Sequence, residues 1–98
     1  MVRHVVVFRW AAGTTPDQVA AVEAGLAGLP AAIETLRAYR FGADLGLADG
    51  NGDFAVVADF DDVAGWERYR DDPEHQRVIA ECIRPIVAER TAVQYAFD

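Results

Sequence analysis

Tyr69-Arg70-Asp71-Asp72-Pro73-Glu74-His75 divides the second helical half of the chain, and the order of elements follows from how it is read. Proline suits the first turn of a helix, where an N–H would go unsatisfied anyway, and aspartate is a strong cap just ahead of it. Asp72 is therefore expected to cap, Pro73 to open the helix and His75 to be its third residue. Tyr69 and His75 are the only nearby pair of side chains able to move protons. An imidazole there sits beside unpaired backbone N–H groups and the positive end of the helix dipole. That disfavours imidazolium, so His75 is expected to be neutral near pH 7 and able to accept a proton. The same two residues would also serve simply to pack and cap a helix junction.

Outward from this stretch the pattern is regular. Upstream, Asp61-Asp62 caps a helix with Val63, Trp66 and Tyr69 on one side. Downstream, Val78, Ile79, Cys82, Ile83 and Ile86 form an apolar stripe that Pro85 ends or kinks. Strand-like runs flank both, Asp53 to Phe60 before and Thr91 to Phe97 after. The first half repeats the plan. Arg3 to Trp10 reads as a strand, and Thr15-Pro16-Asp17-Gln18 is a capping box opening a helix with Val19, Val22, Leu26 and Leu29 in register. Gly25 and Gly28 weaken its later turns and Pro30 helps to end it. Ala31 to Leu36 reads as an irregular turn, Arg37 to Phe41 as a strand, and the glycine-rich Leu45 to Gly52 as a hairpin connection.

The order βαββαβ predicts an α+β, ferredoxin-like protomer with one four-stranded antiparallel sheet and both helices on one side. Phe8, Trp10, Phe54 and Phe60 are expected beneath the helices. Val5, Val7, Ala55, Val57 and Ala92, interspersed with Arg3, Arg9, Asp59 and Gln94, are expected on the open face. Small apolar residues with opposite charges among them suit a second sheet better than water, which predicts a homodimer closed sheet to sheet.

Composition narrows the function. The 98 residues (1–98) predict one small domain, for which oligomerisation gains buried surface, and the 52% hydrophobic fraction agrees. A net charge of −7 and no basic run argue against nucleic acid or an anionic membrane as partner. Cys82 stands alone, so no internal disulfide forms, and no signal peptide or membrane span is apparent; a cytoplasmic protein is expected. His4 and His75 are the only histidines and serine is absent. Neither a metal site, a covalent nucleophile nor a cofactor is therefore expected.

His4-Val5-Val6-Val7-Phe8-Arg9-Trp10, Phe41-Gly42-Ala43-Asp44 and Tyr69-x-x-x-Pro73-x-His75 together resemble the stress-responsive A/B barrel (Dabb) proteins, over essentially the whole chain. The resemblance implies a ferredoxin-like protomer in a dimeric α+β barrel. Some members are abundant, stable stress-induced proteins, and one plant member is a polyketide cyclase working by intramolecular aldol condensation. It further implies His75 as the general base, Tyr69 as the group holding the carbonyl, and His4 in the pocket lining. Asp72 stands where the family often has a histidine, and Phe54 about where the cyclase has a pocket histidine, so a more apolar pocket is implied.

Three functions follow as expectations. One is a stable dimer of undetermined activity that binds a small apolar ligand between helices and sheet, walled by His4, Trp10, Phe54, Trp66 and Tyr69. The second is a cofactor-independent, cyclase-like enzyme using His75 and Tyr69 on a polyketide-like substrate. The third is a pure assembly protein.

Overall fold

Strand β1 (Val2–Trp10) lies inside the sheet of the computed structural model, which describes residues 1–98. Helix α1 (Pro16–Ala27) follows, then a short α2 (Leu29–Ala32), β2 (Ala38–Ala43) and β3 (Phe54–Phe60). Helices α3 (Val63–Asp71) and α4 (Pro73–Val78) run into a π-helical turn, Ile79–Ile83, and β4 (Val87–Ala96) completes the chain. The sheet order is β2-β3-β1-β4 with every neighbouring pair antiparallel, the ferredoxin-like arrangement predicted above. No helix is long and apolar enough to cross a membrane.

Local chemistry explains the helix starts. Thr15 accepts from the Gln18 amide at 3.2 Å while the Gln18 side chain accepts from the Thr15 amide at 2.9 Å, which closes the capping box. Asp62 caps α3 by accepting from Gly65 N–H, and Asp72 caps α4 by accepting from the amides of Glu74 and His75. Pro30 does not end α1. The helix stops at Gly28, and Pro30 sits in the first turn of α2, where its missing donor costs nothing. An irregular turn from Ala31 is thus partly replaced by this short helix.

The chain between the strands differs from the expected boundaries because pairing overrides propensity. β2 begins at Ala38 and continues to Ala43, since its partner β3 carries the ladder through Gly42↔Ala55 and Ala43↔Phe54. β4 begins at Val87 rather than Thr91: β1 pairs with it as far as Trp10↔Val87, across an irregularity at Arg9 and Trp10. Glu89 and Arg90 are poor strand formers held in place by this partner.

Register also corrects the face assignment of β4. Residues directly opposite in an antiparallel pair share a face. His4↔Gln94, Val6↔Ala92 and Phe8↔Arg90 put Gln94, Ala92 and Arg90 on the helix side of the sheet. Thr91, Val93 and Tyr95 lie on the open face instead. Period-two alternation cannot say which of its two sets points inward when neither is strongly apolar. The assignments on β1 and β3 stand: Val5 opposes Val57, Val7 opposes Ala55, and Arg3 opposes Asp59 on the open side. There Arg3 grips Asp59 through two bonds of 2.7 and 2.9 Å.

The core lies between the sheet and the helices and includes Phe8, Leu26, Phe54, Phe60, Val78 and Ile83. Burying each such side chain is worth roughly 1.5–3 kcal/mol. Helix α1 crosses the second helical segment at Gly25, where a Cβ would lie 2.9 Å from Cγ1 of the fully buried Val78. Gly25→Ala is therefore expected to lower stability by about 1–2 kcal/mol in urea unfolding, despite its better helix propensity. Gly28→Ala, with only ordinary contact 3.8 Å away and helical backbone angles, should be neutral or stabilising by up to about 1 kcal/mol. Equal effects at the two positions would refute the close packing at Gly25.

Candidate functional site

The helices do not seal against the sheet everywhere. A cavity of about 280 Å³ remains, with a floor of Val6, Phe8 and Val56 from the sheet and walls of Leu26, Ile79 and Ile83 from the helical layer. The π-helical turn shapes one wall. Its hydrogen bonding is the wider π type, with Arg84 N–H donating to Ile79 O at 2.8 Å, and its two end residues, Ile79 and Ile83, both line the cavity. Pro85, having no N–H to offer, ends that segment as expected. The polar lining consists of His4, Tyr69, His75, Arg84 and Arg90.

His75 sits at the third position of α4, as the proline register requires. Its Nδ1 faces the carbonyl of Arg70 at 3.3 Å. A carbonyl only accepts, so Nδ1 carries the proton and Nε2 is left with its lone pair. Burial pushes the pKa of this imidazole down, against the backbone carbonyls and Asp72, which favour the cation. His75 is thus neutral near pH 7, although burial rather than the helix end dominates. Asp72 underneath is 6% exposed. Burial opposes its ionisation, but Arg68 and the amides of His75 and Glu74 outweigh that and hold the carboxyl below its usual range.

Tyr69 does not bond to His75. Their rings are in close, tilted contact, with centroids 3.9 Å apart and 30° between the planes, and the Tyr69 hydroxyl meets that of Tyr39 at 2.9 Å. Burial pushes Tyr69 up to about 12, partly offset by the Tyr39 hydrogen bond and the charge of Arg90, so the phenol stays protonated.

His4 lies on the central strand between the rings of Trp66 and Tyr69, with centroids at 6.1 and 6.2 Å, and is 5% exposed. The Gln94 amide nitrogen is 2.9 Å from its Nδ1. An amide NH₂ only donates, so Nδ1 accepts and the imidazole proton resides on Nε2. Burial lowers this histidine to about 4, with the charges of Arg90 and His75 acting in the same sense. The cavity therefore holds two neutral histidines of opposite tautomer, one able to donate through Nε2 and one able to accept there.

Three of the aromatic residues expected to wall a pocket stand elsewhere. Trp66 flanks His4 outside the lining, beneath the Arg70 guanidinium at 5.1 Å. Trp10 stacks on Phe8 at 5.3 Å and approaches Phe54 at 5.7 Å, so these two fill the far end of the sheet. Arg84, Arg90, Gln94 and Tyr39 were not picked out from sequence. Arg90 and Gln94 share an i, i+4 spacing with Ala92 between them, a strand signal that only the longer β4 makes legible. No group of three or more His, Cys, Asp or Glu side chains is arranged to hold a metal ion.

The buried His4 gives stability a definite pH dependence. Unfolded imidazoles take up protons near pH 6.5, whereas folded His4 resists until about 4. The unfolded state then binds more protons, so stability falls as pH drops through this window, by on the order of 3 kcal/mol for His4 at its lower end. Asp59 and Asp72 have depressed values, so their contribution is lost only further down, below about pH 4. Urea unfolding at pH 7, 6, 5 and 4.5 should show the decline, and His4→Gln should flatten it. An unchanged slope in the variant would remove His4 as its source.

The whole chain can now be set beside known proteins. The family model of the Stress responsive A/B Barrel Domain (Dabb) matches residues 2–97. A dimeric ferredoxin-like protein of unknown function from Thermobifida fusca is 53% identical, with 98% of this chain and 90% of that one covered and a TM-score of 0.91. A dimeric protein of unknown function from Bacteroides fragilis shares the fold at 21% identity, 98% and 95% coverage and a TM-score of 0.86. The hydroxynitrile lyase of Passiflora edulis does so at 20% identity, 99% and 93% coverage and a TM-score of 0.85. No curated protein matches by sequence. With the family model spanning all but the terminal residues of a ferredoxin-like chain, the protein belongs to the stress-responsive A/B barrel (Dabb) family.

Proposed function

We propose that this chain acts as a homodimer in which each protomer binds a small, largely apolar molecule in the cavity between sheet and helices. The observation that carries the binding reading is the cavity itself, mostly apolar with a few polar groups in its lining, as small-molecule sites commonly are. The dimer is supported by the open sheet face, where Val5 and Val57 pair beside Val7 and Val93, 37% and 61% exposed, and by the dimeric description of the Thermobifida fusca relative. Val57→Lys puts a charge into that face and is expected to give monomers by sedimentation at micromolar concentration. A dimer of undiminished stability would rule out sheet-to-sheet closure.

A second reading, a cofactor-independent enzyme, is favoured by the opposed histidine tautomers. His75 Nε2 would remove a proton from a carbon between two carbonyls. His4 Nε2–H, together with the Tyr69 hydroxyl when Tyr39 donates to it, would bond the oxygen that gains enolate charge. This is the proton chemistry with which an aldol cyclisation of a polyketide-like substrate begins.

One experiment separates the two readings. Titration calorimetry with small aromatic 1,3-diketones tests binding, and Ile79→Trp, which fills the cavity, should abolish it while leaving the far-UV spectrum unchanged. NMR exchange of the acidic methylene protons in heavy water tests catalysis. Wild type should accelerate exchange, and His75→Gln should lose about 10²-fold or more of that acceleration. Binding without acceleration would leave a ligand-binding protein and remove the enzyme.

A further inference from the structure

All nine cationic side chains of this protein are arginines, and six of them, Arg3, Arg9, Arg37, Arg68, Arg70 and Arg77, pair with carboxylates. Arg40, Arg84 and Arg90 do not, although Asp and Glu together number 16. Two of these three line the same apolar cavity. They arrive from different elements. Arg84 follows the π-helical turn, and Arg90 stands on β4 opposite Phe8, on the helix side of the sheet; both are exposed at the rim of the cavity they line. The nearest acid in sequence, Glu89, lies on the other face of β4 and turns to Arg9 at 3.8 Å. The cavity lining contains no carboxylate at all. In a chain of net charge −7, the charged groups at this one site are thus exclusively positive. The influence of Arg90 reaches the interior, where it disfavours imidazolium at His4 and His75.

We propose that the ligand is a small aromatic or aliphatic carboxylic acid, its hydrocarbon part on Val6, Phe8 and Ile83 and its carboxylate held by Arg84 and Arg90. Guanidinium groups suit this role because their forked donors match a carboxylate and remain charged at every relevant pH. An apolar cavity with cations in its lining selects amphipathic anions and gives no advantage to neutral hydrocarbons. The inference deepens the binding reading and rests on it, naming the chemical class that the cavity takes.

Titration calorimetry on the full chain at low salt, with 3-phenylpropanoate and the isosteric 3-phenylpropanamide, tests it. The acid is expected to bind at least tenfold more tightly than the amide, and the difference should shrink as salt rises. Arg84→Gln with Arg90→Gln should erase the difference while leaving the amide unchanged. Arg40→Gln, which alters an unpaired arginine on β2 outside the cavity, should leave both affinities intact. Equal affinities for acid and amide, both abolished by Ile79→Trp, would overturn the anion proposal but keep the cavity as a binding site. A preference for acid that survives the double variant would overturn it too. Binding of both compounds that persists in Ile79→Trp would overturn the cavity reading and this proposal with it.

Discussion

The antiparallel register between β1 and β4 is the constraint on which the site depends. It sets Gln94 against His4, Ala92 against Val6 and Arg90 against Phe8. Had the ladder slipped by one residue, Val93 and Thr91 would face the helices, and the cavity would lose both Arg90 and the amide that fixes the His4 tautomer. The same ladder places Arg3 and Asp59 on the outer face, where their two short bonds tie the inner strands. One set of backbone hydrogen bonds therefore divides the sheet into a chemical side and an associating side.

The helical layer supplies what the sheet cannot. Asp72 turns the chain from α3 into α4 and, by accepting from two amides, fixes where His75 begins. Because that turn also leaves the Arg70 carbonyl facing Nδ1, a structural cap determines which nitrogen of the ring is free. The π-helical turn then interrupts close packing just where Ile79 and Ile83 pass over the sheet. The polar groups around the opening converge from β1, α3, α4, β4 and the turn that follows the π-helical segment.

Tyr69 sits beside His75 without bonding to it. Its hydroxyl meets Tyr39 at 2.9 Å, and its ring makes a tilted contact with the imidazole, centroids 3.9 Å apart. The imidazoles in the cavity lining are those of His4 and His75, and Tyr69 is the phenol of the lining, backed by Tyr39 outside it.

Local chemistry that acts within a few residues was legible in the sequence. Thr15 with Gln18, Asp62, and Asp72 with Pro73 mark helix starts because capping needs only neighbours in the chain. Alternation placed β1 and β3 correctly because their apolar sets are strong, and the order of elements then implied the ferredoxin-like topology. Long-range pairing was not legible. The extension of β4 to Val87, and the choice of which β4 face turns inward, follow from hydrogen bonds to a strand about 80 residues away in the chain. The absence of Trp10, Phe54 and Trp66 from the cavity lining and the presence of Arg84 and Arg90 in it were not legible either, being set by packing between elements. Sequence by itself determined the order of the main elements and the helix caps; only the tertiary structure decided their limits and which side chains face one another, because register and packing are properties of pairs that no single stretch contains.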